Sequence, residues 1–369
     1  MEKRQLGETD MELSIMGYGG FHLVEIDSGE AASLLNTYLD HGGNYIETAP
    51  SYGEGFSETK IGRAVSHRRD EYYLATKCHI RDADGAAVLL DESLKRLKTD
   101  YVDVLFVHAL QTEDELDQVI GSNGALRAIE KAKVDGKVRY VAVSSHGRPR
   151  TLFKALKEYP FDLFMTGINY YDYCNYPELY TDVLPWAKQN GIGVLGMKSL
   201  ADGFLYQSFI EGIRFALSQP IVSLVLGVNN REQLEKDLAL MEEFHEVDQN
   251  YIDELLKKAP ELGTYVCRQC GECKTAEFDP SKIFALEGVF DRQMDDHKVG
   301  DTARYALRER LKHWFAQQDE PVSEYSQLSK RVDPYADYSN FNRLCPYNID
   351  IDRKLKIAHE KLGDDGFIY

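Results

Sequence analysis

Short apolar segments alternate with longer segments of helical period between residues 15 and 245. The apolar segments are SIMGYGG, NYIET, EYYLATK, YVDVLFVH, VRYVAVSS, LFMTGIN, GIGVLGMK and SLVLGV. Segments between them, such as SGEAASLLNTYLDHG and DGAAVLLDESLKRLKTD, carry apolar residues at i, i+3, i+4 and i+7, as amphipathic helices do. Nearly continuous apolar strands that alternate with such helices favour a parallel sheet covered on both faces. A total of eight favours an α/β fold of the closed (β/α)8 TIM barrel type over an open doubly wound sheet.

Polar residues gather where the predicted strands end. They are Glu47, Lys77, His108, Ser144, Ser145, Asn169 and Lys198. In a barrel, the carboxyl ends of the strands surround one mouth, where catalytic groups lie. The alternative is that strands simply end where polar residues begin. Lys77 and His108 are each the first ionisable group after a largely apolar run, which favours a functional role for these two.

The segment NYIETAPSYGEG adds a carboxylate, Glu47, and five residues later a phenol, Tyr52. With Lys77 and His108 they form four groups able to share one proton relay. A phenol with a pKa of about 10 is a poor acid at neutral pH, but an adjacent ammonium stabilises the phenolate and a carboxylate holds that ammonium. Such a set suits carbonyl reduction by hydride transfer, with the tyrosine as proton donor and the histidine orienting the substrate oxygen.

Four motifs carry a resemblance to a known superfamily. TAPSYG, LATK, the strand ending DYVDVLFVH, and VAVSSHG resemble signatures of the aldo/keto reductases, in the same order, and the likeness covers residues 3 to 245. RQLGETDMELS is similar to the hairpin that closes the bottom of those barrels. The resemblance implies an oxidoreductase that uses NAD(P)H, with Tyr52 as general acid beside Lys77, His108 and Glu47. The family usually has aspartate where this chain has Glu47. The additional methylene, which is long enough to displace the Lys77 pairing by about an ångström, is interpreted as tolerated.

The resemblance also implies a set of cofactor contacts. Fewer of them than is usual in the family are expected at the nicotinamide. Ser145 and Gly167 stand where the family usually has asparagine and glutamine, and Asn169 is expected to compensate. Met197 replaces a stacking aromatic or is simply core, and Lys198 binds an anionic group or is solvated. The candidate cofactor residues are Gly19, Ser144, Ser145, Asn169, Met197, Lys198, Gly227, Asn229, Arg231, Gln233 and Asp237.

The adenosine end of the cofactor is expected at SLVLGVNNREQLEKDLAL, which resembles the family's last strand, loop and helix. There, backbone N–H groups at a helix N-terminus meet the phosphates. Relatives that prefer NADP place lysine and arginine near the 2'-phosphate, whereas Gly227 and Gln233 stand at those positions here. Arg231 is the substitute, so the sequence leaves NAD and NADP open.

Three cysteines lie close together in CRQCGECK, namely Cys267, Cys270 and Cys273, and Cys345 follows in NRLCPYNIDI. The pattern C-x2-C-x2-C with a later C-P is that of a [4Fe–4S] ferredoxin-type site with thiolate ligands. A structural zinc site is the alternative, although such sites usually come as two separated C-x2-C pairs.

The cysteine pattern resembles a branch of the superfamily with a C-terminal ferredoxin-like module. In that branch three residues separate the last two cysteines, whereas here residues 274–344 do, 71 in all. The period of TARYALRERLKHWFAQQ predicts a mostly helical insertion. The cluster's role stays open between electron exchange with a partner protein and a structural staple.

Composition and charge narrow the class of protein. The 369 residues are 43% hydrophobic and 28% charged, enough for a barrel and an appendage, and the net charge of -18 argues against a nucleic-acid partner. No apolar run approaches the roughly 18 residues that span a bilayer, and the start lacks a secretory signal. We therefore expect a cytoplasmic protein without a membrane partner, whose cysteines bind metal.

These observations predict an NAD(P)-dependent aldo/keto oxidoreductase that acts on a small carbonyl or sugar-like substrate. Residues 1–250 are expected to form the barrel, and residues 251–369 the cluster-binding extension with its long insertion. Two alternatives stay open at this point. One is a nicotinamide-dependent lyase or isomerase that acts through transient oxidation, and the other is a non-catalytic electron-transfer protein.

Overall fold

The structure, a computed structural model, describes residues 1–293 and 319–363. Eight parallel strands in this part of the chain close into a barrel, which confirms the predicted architecture. They follow one another in chain order around the barrel, and the last pairs with the first. The strands are β1 (Lys3–Gln5), β2 (Glu12–Ser14), β3 (Met16–Gly19), β4 (Tyr45–Glu47), β5 (Tyr73–Cys78), β6 (Val102–Val107), β7 (Val138–Ser144), β8 (Leu163–Gly167), β9 (Gly193–Met197) and β10 (Ser223–Gly227), of which β3 to β10 form the barrel.

The first two strands form the predicted hairpin. They are antiparallel, with Lys3 opposite Ser14. Leu6, Met11 and Leu13 from this hairpin are fully buried in the same apolar cluster as Phe106 of β6. The hairpin therefore fills the barrel interior from one end, as the resemblance implied.

Helices connect the strands and continue after the barrel. Their starts follow local capping rules: the carboxylate of Asp27 accepts from the backbone N–H groups of Gly29 and Glu30 at the first helix. Thr112 and Glu115 form a capping box at the fourth. The helices are α1 (Ser28–Asp40), α2 (Phe56–Val65), α3 (Ala83–Leu97), α4 (Glu113–Ile120), α5 (Ala125–Val134), α6 (Pro149–Glu158), α7 (Tyr170–Asn175), α8 (Leu184–Gln189), α9 (Phe209–Leu217), α10 (Arg231–Glu242), α11 (Gln249–Lys258), α12 (Pro280–Asp291), α13 (Asp319–Ser326), α14 (Ser339–Asn342) and α15 (Ile351–Leu362).

The chain divides into two compact units. The first comprises residues 1–168, 182–199 and 216–246 and contains the barrel. The second comprises residues 169–181, 200–215 and the described residues from 247 onward. The second unit is helical in the residues described, as expected of the extension. The predicted helix in TARYALRERLKHWFAQQ lies outside the described residues.

The second unit has apolar cores of its own. One contains Phe284 of α12, Tyr325 of α13 and Leu355 of α15. The other contains Tyr170 and Tyr171 of α7. The tyrosine-rich stretch at α7 therefore contributes packed core.

No helix in residues 1–293 and 319–363 is long and apolar enough to cross a membrane.

Candidate active site

The four predicted catalytic residues lie at the carboxyl ends of three neighbouring barrel strands. Glu47 is the last residue of β4, Lys77 is the penultimate residue of β5, and His108 directly follows β6. Tyr52 lies in the turn between β4 and α2. Because β4, β5 and β6 are parallel neighbours, their ends bring these side chains to the same edge of the barrel.

Lys77 is the centre of this arrangement. Its ammonium Nζ contacts the carboxylate of Glu47 and donates to the backbone oxygen of Thr48 at 2.9 Å and the hydroxyl of Tyr52 at 2.9 Å. A lysine ammonium has three N–H donors, so each is used once. Lys77 is 2% exposed and Glu47 is 4% exposed. The ammonium is therefore held in one position away from bulk water.

Two aromatic neighbours flank Tyr52. The His108 ring lies 6.1 Å from the Tyr52 ring, measured between centroids, and the Phe21 ring lies 5.1 Å away, both edge to face. The backbone N–H of His108 donates to the oxygen of Cys78 at 2.9 Å, which fixes the start of its loop. The structure thus brings all four predicted residues together and adds Phe21, a residue that the sequence reasoning missed.

The protonation of Tyr52 differs from the expectation. Burial and then the charge of Glu47 raise its pKa, and the opposing effect of Lys77 does not outweigh them. Burial likewise raises the pKa of Glu47 against the effect of Lys77. Burial alone would lower the pKa of Lys77, but Glu47 and Tyr52 raise it above its ordinary value. Because Glu47 balances the ammonium, Tyr52 rests as a protonated phenol next to a charged lysine.

His108 is held neutral. Burial, followed by the charge of Lys77, places its pKa well below the ordinary value for histidine. A neutral imidazole has one N–H donor and one acceptor nitrogen. His108 is therefore suited to hydrogen-bond a substrate oxygen and not to supply the proton.

Several candidate cofactor residues also end barrel strands. Gly19 ends β3 and pairs in register with Gly227, which ends β10. Ser144 ends β7, and its hydroxyl accepts from the backbone N–H of Ala109 at 3.0 Å. Ser145 donates its hydroxyl to the backbone oxygen of Leu110 at 2.8 Å. Both serines are therefore tied to the loop that follows His108.

The remaining nicotinamide candidates lie in different parts of the structure. Met197 ends β9 and belongs to the apolar cluster of the barrel interior. Lys198 follows it with a φ of 56°. Asn169 belongs to the second unit, where its side chain accepts from the backbone N–H of Asp172 at 2.7 Å and donates to the Asp172 carboxylate at 2.9 Å. It therefore caps α7.

Hydrogen bonds connect three of the adenosine-end candidates, Gly227, Asn229 and Gln233. The side chain of Gln233 donates to the backbone oxygen of Gly227 at 3.0 Å and accepts from the backbone N–H of Asn229 at 3.4 Å. Arg231 donates to the hydroxyl of Ser33 at 2.7 Å and lies 3.7 Å from the carboxylate of Glu235. This loop leads into the N-terminus of α10.

Asp237, on the inner side of α10, is an unusual carboxylate. It is 1% exposed, and neither of its oxygens has a hydrogen-bond partner in the part of the chain that the structure describes. Burial raises its pKa to about 7. Buried acceptors are normally satisfied, so this group is a candidate contact for a bound molecule.

The four cysteines of the second motif line one pocket in the second unit, together with Arg268 and Tyr347. Cys267 and Cys273 are buried, Cys345 is half-buried and Cys270 is exposed, and all four are free thiols. Burial raises the pKa of the Cys267 thiol to about 12 and that of Cys273 to about 11. Within residues 1–293 and 319–363, no group of three or more His, Cys, Asp or Glu side chains is arranged to hold a metal ion.

A buried ionic group packs near Cys267 and was also missed. The Glu287 carboxylate of α12 accepts from Lys354 at 2.6 Å and from Lys361 at 3.1 Å, both on α15, and Tyr265 donates to it at 2.6 Å. These residues are far apart in the sequence and follow no known motif. Only the pairing of α12 with α15 reveals them.

Comparison with known proteins shows the family to which this chain is similar. The model of the "Aldo/keto reductase family" matches residues 15–212, more than half of the chain. An uncharacterized oxidoreductase of Bacillus subtilis, YqkF, is 30% identical over 231 residues, which are 59% of this chain and 71% of that protein. The L-galactose dehydrogenase of Arabidopsis thaliana is 30% identical over 219 residues, covering 56% of this chain and 67% of that protein.

Solved structures show the same fold. The holo form of aldo-keto reductase AKR11C1 from Bacillus halodurans superposes with a TM-score of 0.59 at 23% identity, covering 69% of this chain and 96% of that chain. At this identity the likeness concerns the fold alone.

Proposed function

Because the chain belongs to the aldo/keto reductase family of NAD(P)-dependent oxidoreductases, we propose that it transfers a hydride between a nicotinamide and a carbonyl or alcohol substrate. Tyr52 is the general acid in the reducing direction and the general base in the other. The observation that supports this most directly is the placement of the Lys77 ammonium, whose donors are used on Glu47, Thr48 and Tyr52.

The proton steps follow from the charges at the site. A bound nicotinamide supplies or accepts the hydride. Tyr52, protonated at rest, donates its phenolic proton to the substrate oxygen as the negative charge develops there. The phenolate left behind is stabilised by the ammonium of Lys77 at 2.9 Å. Glu47 keeps that ammonium charged and in place, and neutral His108 orients the substrate oxygen.

The residues proposed to hold the cofactor fall into two groups. Gly19, Ser144, Ser145, Met197 and Lys198 are proposed for the nicotinamide end. Gly227, Asn229, Arg231, Gln233 and Asp237 are proposed for the adenosine end. The unsatisfied carboxylate of Asp237 supports this, because it is a buried acceptor that a donor on the cofactor satisfies. The choice between NAD and NADP depends on how Arg231 contacts the ribose.

Two relatives support a proposal for the substrate class. The relatives include the L-galactose dehydrogenase and a D-threo-aldose 1-dehydrogenase of a Pseudomonas species, 27% identical over 233 residues. We propose a small carbonyl or sugar-like substrate. A general acid beside a neutral histidine suits a polar oxygen at the reacting carbon.

The experiment for this function is the Tyr52→Phe variant. We expect kcat for carbonyl reduction to fall by about 10²–10⁴-fold, because the general acid is lost. Binding of the nicotinamide, followed by its fluorescence, stays unchanged, since Tyr52 is proposed to act on the substrate oxygen. A variant with full kcat contradicts the proposal.

We further propose that Cys267, Cys270, Cys273 and Cys345 hold one [4Fe–4S] cluster, in a cytoplasmic, reducing setting where such thiolates persist. All four side chains face one pocket although Cys345 lies far along the chain from the others. The C-x2-C-x2-C run with a later Cys-Pro supports a four-iron cluster over a zinc site, because zinc sites usually have two separated C-x2-C pairs.

Analysis of iron, acid-labile sulfide and zinc on protein purified without oxygen tests this metal-binding site. About four irons per chain with matching sulfide are expected. Zinc without sulfide contradicts the proposal and assigns the pocket a structural role.

A further inference from the structure

A buried arginine belongs to the wall of the cysteine pocket. Arg268, which directly follows Cys267, lines the pocket and is 6% exposed. Its guanidinium lies 4.8 Å from the ring centroid of Tyr347, another residue of the pocket wall. The residue that carries this charge therefore contributes to the wall of the pocket that the four cysteines line.

The position of this cation is fixed by backbone oxygens. Arg268 donates to Leu256 at 3.0 Å, to Gly263 at 2.8 Å and to Leu262 at 3.4 Å, and also to Val266. The first of these oxygens lies in the last turn of α11. These bonds hold the planar guanidinium in one orientation but supply only partial negative charge.

Other buried cations of the second unit have carboxylate partners. Arg292 lies 3.0 Å from Asp172, Lys354 lies 2.6 Å from Glu287, and Lys361 lies 2.8 Å from Asp291. Arg268 has no carboxylate within 4.0 Å among the residues that the structure describes. A buried charge without a counter-charge is costly. Something anionic in the pocket would remove that cost.

We infer that Arg268 is the fixed counter-charge of the iron–sulfur cluster and raises its reduction potential. This inference rests on the cluster proposed above. Thiolates around an iron–sulfur core carry net negative charge, and the reduced cluster is one charge more negative. The cluster gains one electron from a one-electron donor, and no proton is transferred. A nearby fixed cation stabilises the reduced form more than the oxidised form.

A backbone contact acts in the same direction. The N–H of Gln269 donates to the sulfur of Cys267 at 3.4 Å. Hydrogen bonds to ligand sulfurs are one of the factors that set cluster potentials. The pocket therefore combines a donor to one sulfur with a fixed full charge.

The test is an anaerobic redox titration of the full chain, followed by electron paramagnetic resonance, after iron and sulfide have been measured on the same sample. Arg268→Gln removes the charge, and Arg268→Lys keeps it with fewer hydrogen bonds. Arg343→Gln is the matched control, because Arg343 is an exposed arginine two residues from Cys345.

We expect Arg268→Gln to shift the equilibrium toward the oxidised cluster at least tenfold, which lowers the midpoint potential by about 59 mV for one electron. Arg268→Lys and the control stay within about threefold of the unchanged protein, because a buried charge is retained in one and only a screened charge is lost in the other.

An unchanged potential in Arg268→Gln, with iron retained, overturns the inference and leaves the cluster proposal intact. Loss of iron in Arg268→Gln but not in Arg268→Lys supports it, because the cluster then requires the charge. Loss of iron in both variants assigns Arg268 to packing and overturns it. Absence of iron and sulfide from the unchanged protein refutes the cluster itself, and the inference with it.

Discussion

Lys77 in the barrel and Arg268 beside the cysteine pocket are both buried cations, but their surroundings differ. Lys77 has a carboxylate, a carbonyl and a phenol for its three donors. Arg268 has four carbonyl oxygens and no carboxylate among the residues described. In the first site the charge of Lys77 is balanced by Glu47 before any ligand binds. In the second, no carboxylate among the residues described balances the charge of Arg268. A buried charge thus indicates a different function according to whether its counter-charge comes from the protein.

The largest effect is expected from removing the charge of Lys77 at the barrel site. Lys77→Met should lower kcat by about 10²–10⁴-fold, because the phenolate of Tyr52 loses its stabilising charge. It should also lower the free energy of unfolding by about 3–5 kcal/mol, since Glu47 is left buried and unpaired. Steady-state kinetics and urea unfolding measure the two effects.

The double variant Glu47→Gln with Lys77→Met separates these effects. Removing both charges should restore most of the stability but none of the activity. Recovery of activity in the double variant would show that the charge pair is not part of the proton relay.

A second prediction concerns Asp237 in the barrel unit, a buried carboxylate that has no hydrogen-bond partner among the described residues. The pKa of Asp237 is raised to about 7 in the folded chain, above an ordinary value of 3.8. The folded state therefore binds more protons than the unfolded state between about pH 4 and pH 7, and this group makes the protein less stable as the pH rises through that window. Asp237→Asn should raise the free energy of unfolding at pH 8 by about 1–3 kcal/mol, with little gain at pH 4.

Urea unfolding of the cofactor-free protein at both pH values measures this difference. Glu242→Gln, an exposed carboxylate on the same helix, is the control and should change stability by less than about 0.5 kcal/mol at either pH. Equal gains from Asp237→Asn at pH 4 and pH 8 would attribute the effect to packing instead of charge.

The smallest effect is expected from shortening the side chain of Glu47, the carboxylate that pairs with Lys77. Glu47→Asp restores the residue usual in the family but draws the carboxylate back from Lys77. We expect kcat to fall by up to about tenfold, because the ammonium stays bound to Thr48 and Tyr52 while its third partner is displaced. The thermal midpoint and kcat are measured together, and a faster enzyme would show that the shorter side chain fits this site better.

The strand and helix pattern was predictable because each element is specified by the residues within it. All eight apolar segments became barrel strands, and the hairpin at RQLGETDMELS formed with Leu6 and Met11 inside the barrel. Glu47, Lys77 and His108 also stood at strand ends in the sequence, so the mouth that they share followed from the fold class.

Charge and protonation were not predictable in the same way. The sequence suggested that Lys77 would favour the phenolate of Tyr52, yet burial and Glu47 raise the pKa of that phenol. Asp237 was predicted as a cofactor contact from the sequence. That its carboxylate has no hydrogen-bond partner among the described residues could be seen only in the folded structure. The tyrosines of α7 became core through residues of α9 and α11.

The sequence by itself determined which segments form strands, which residues end them, and which cysteines share a motif, because periodicity and spacing are local properties of the chain. Only the tertiary structure decided that Lys77 is fully paired. It also decided that, among the residues described, Asp237 has no hydrogen-bond partner and Arg268, in the wall of the cysteine pocket, has no carboxylate nearby. The reason is physical: burial and electrostatic interaction sum over groups that are distant in the sequence, and they are defined only after the chain has packed.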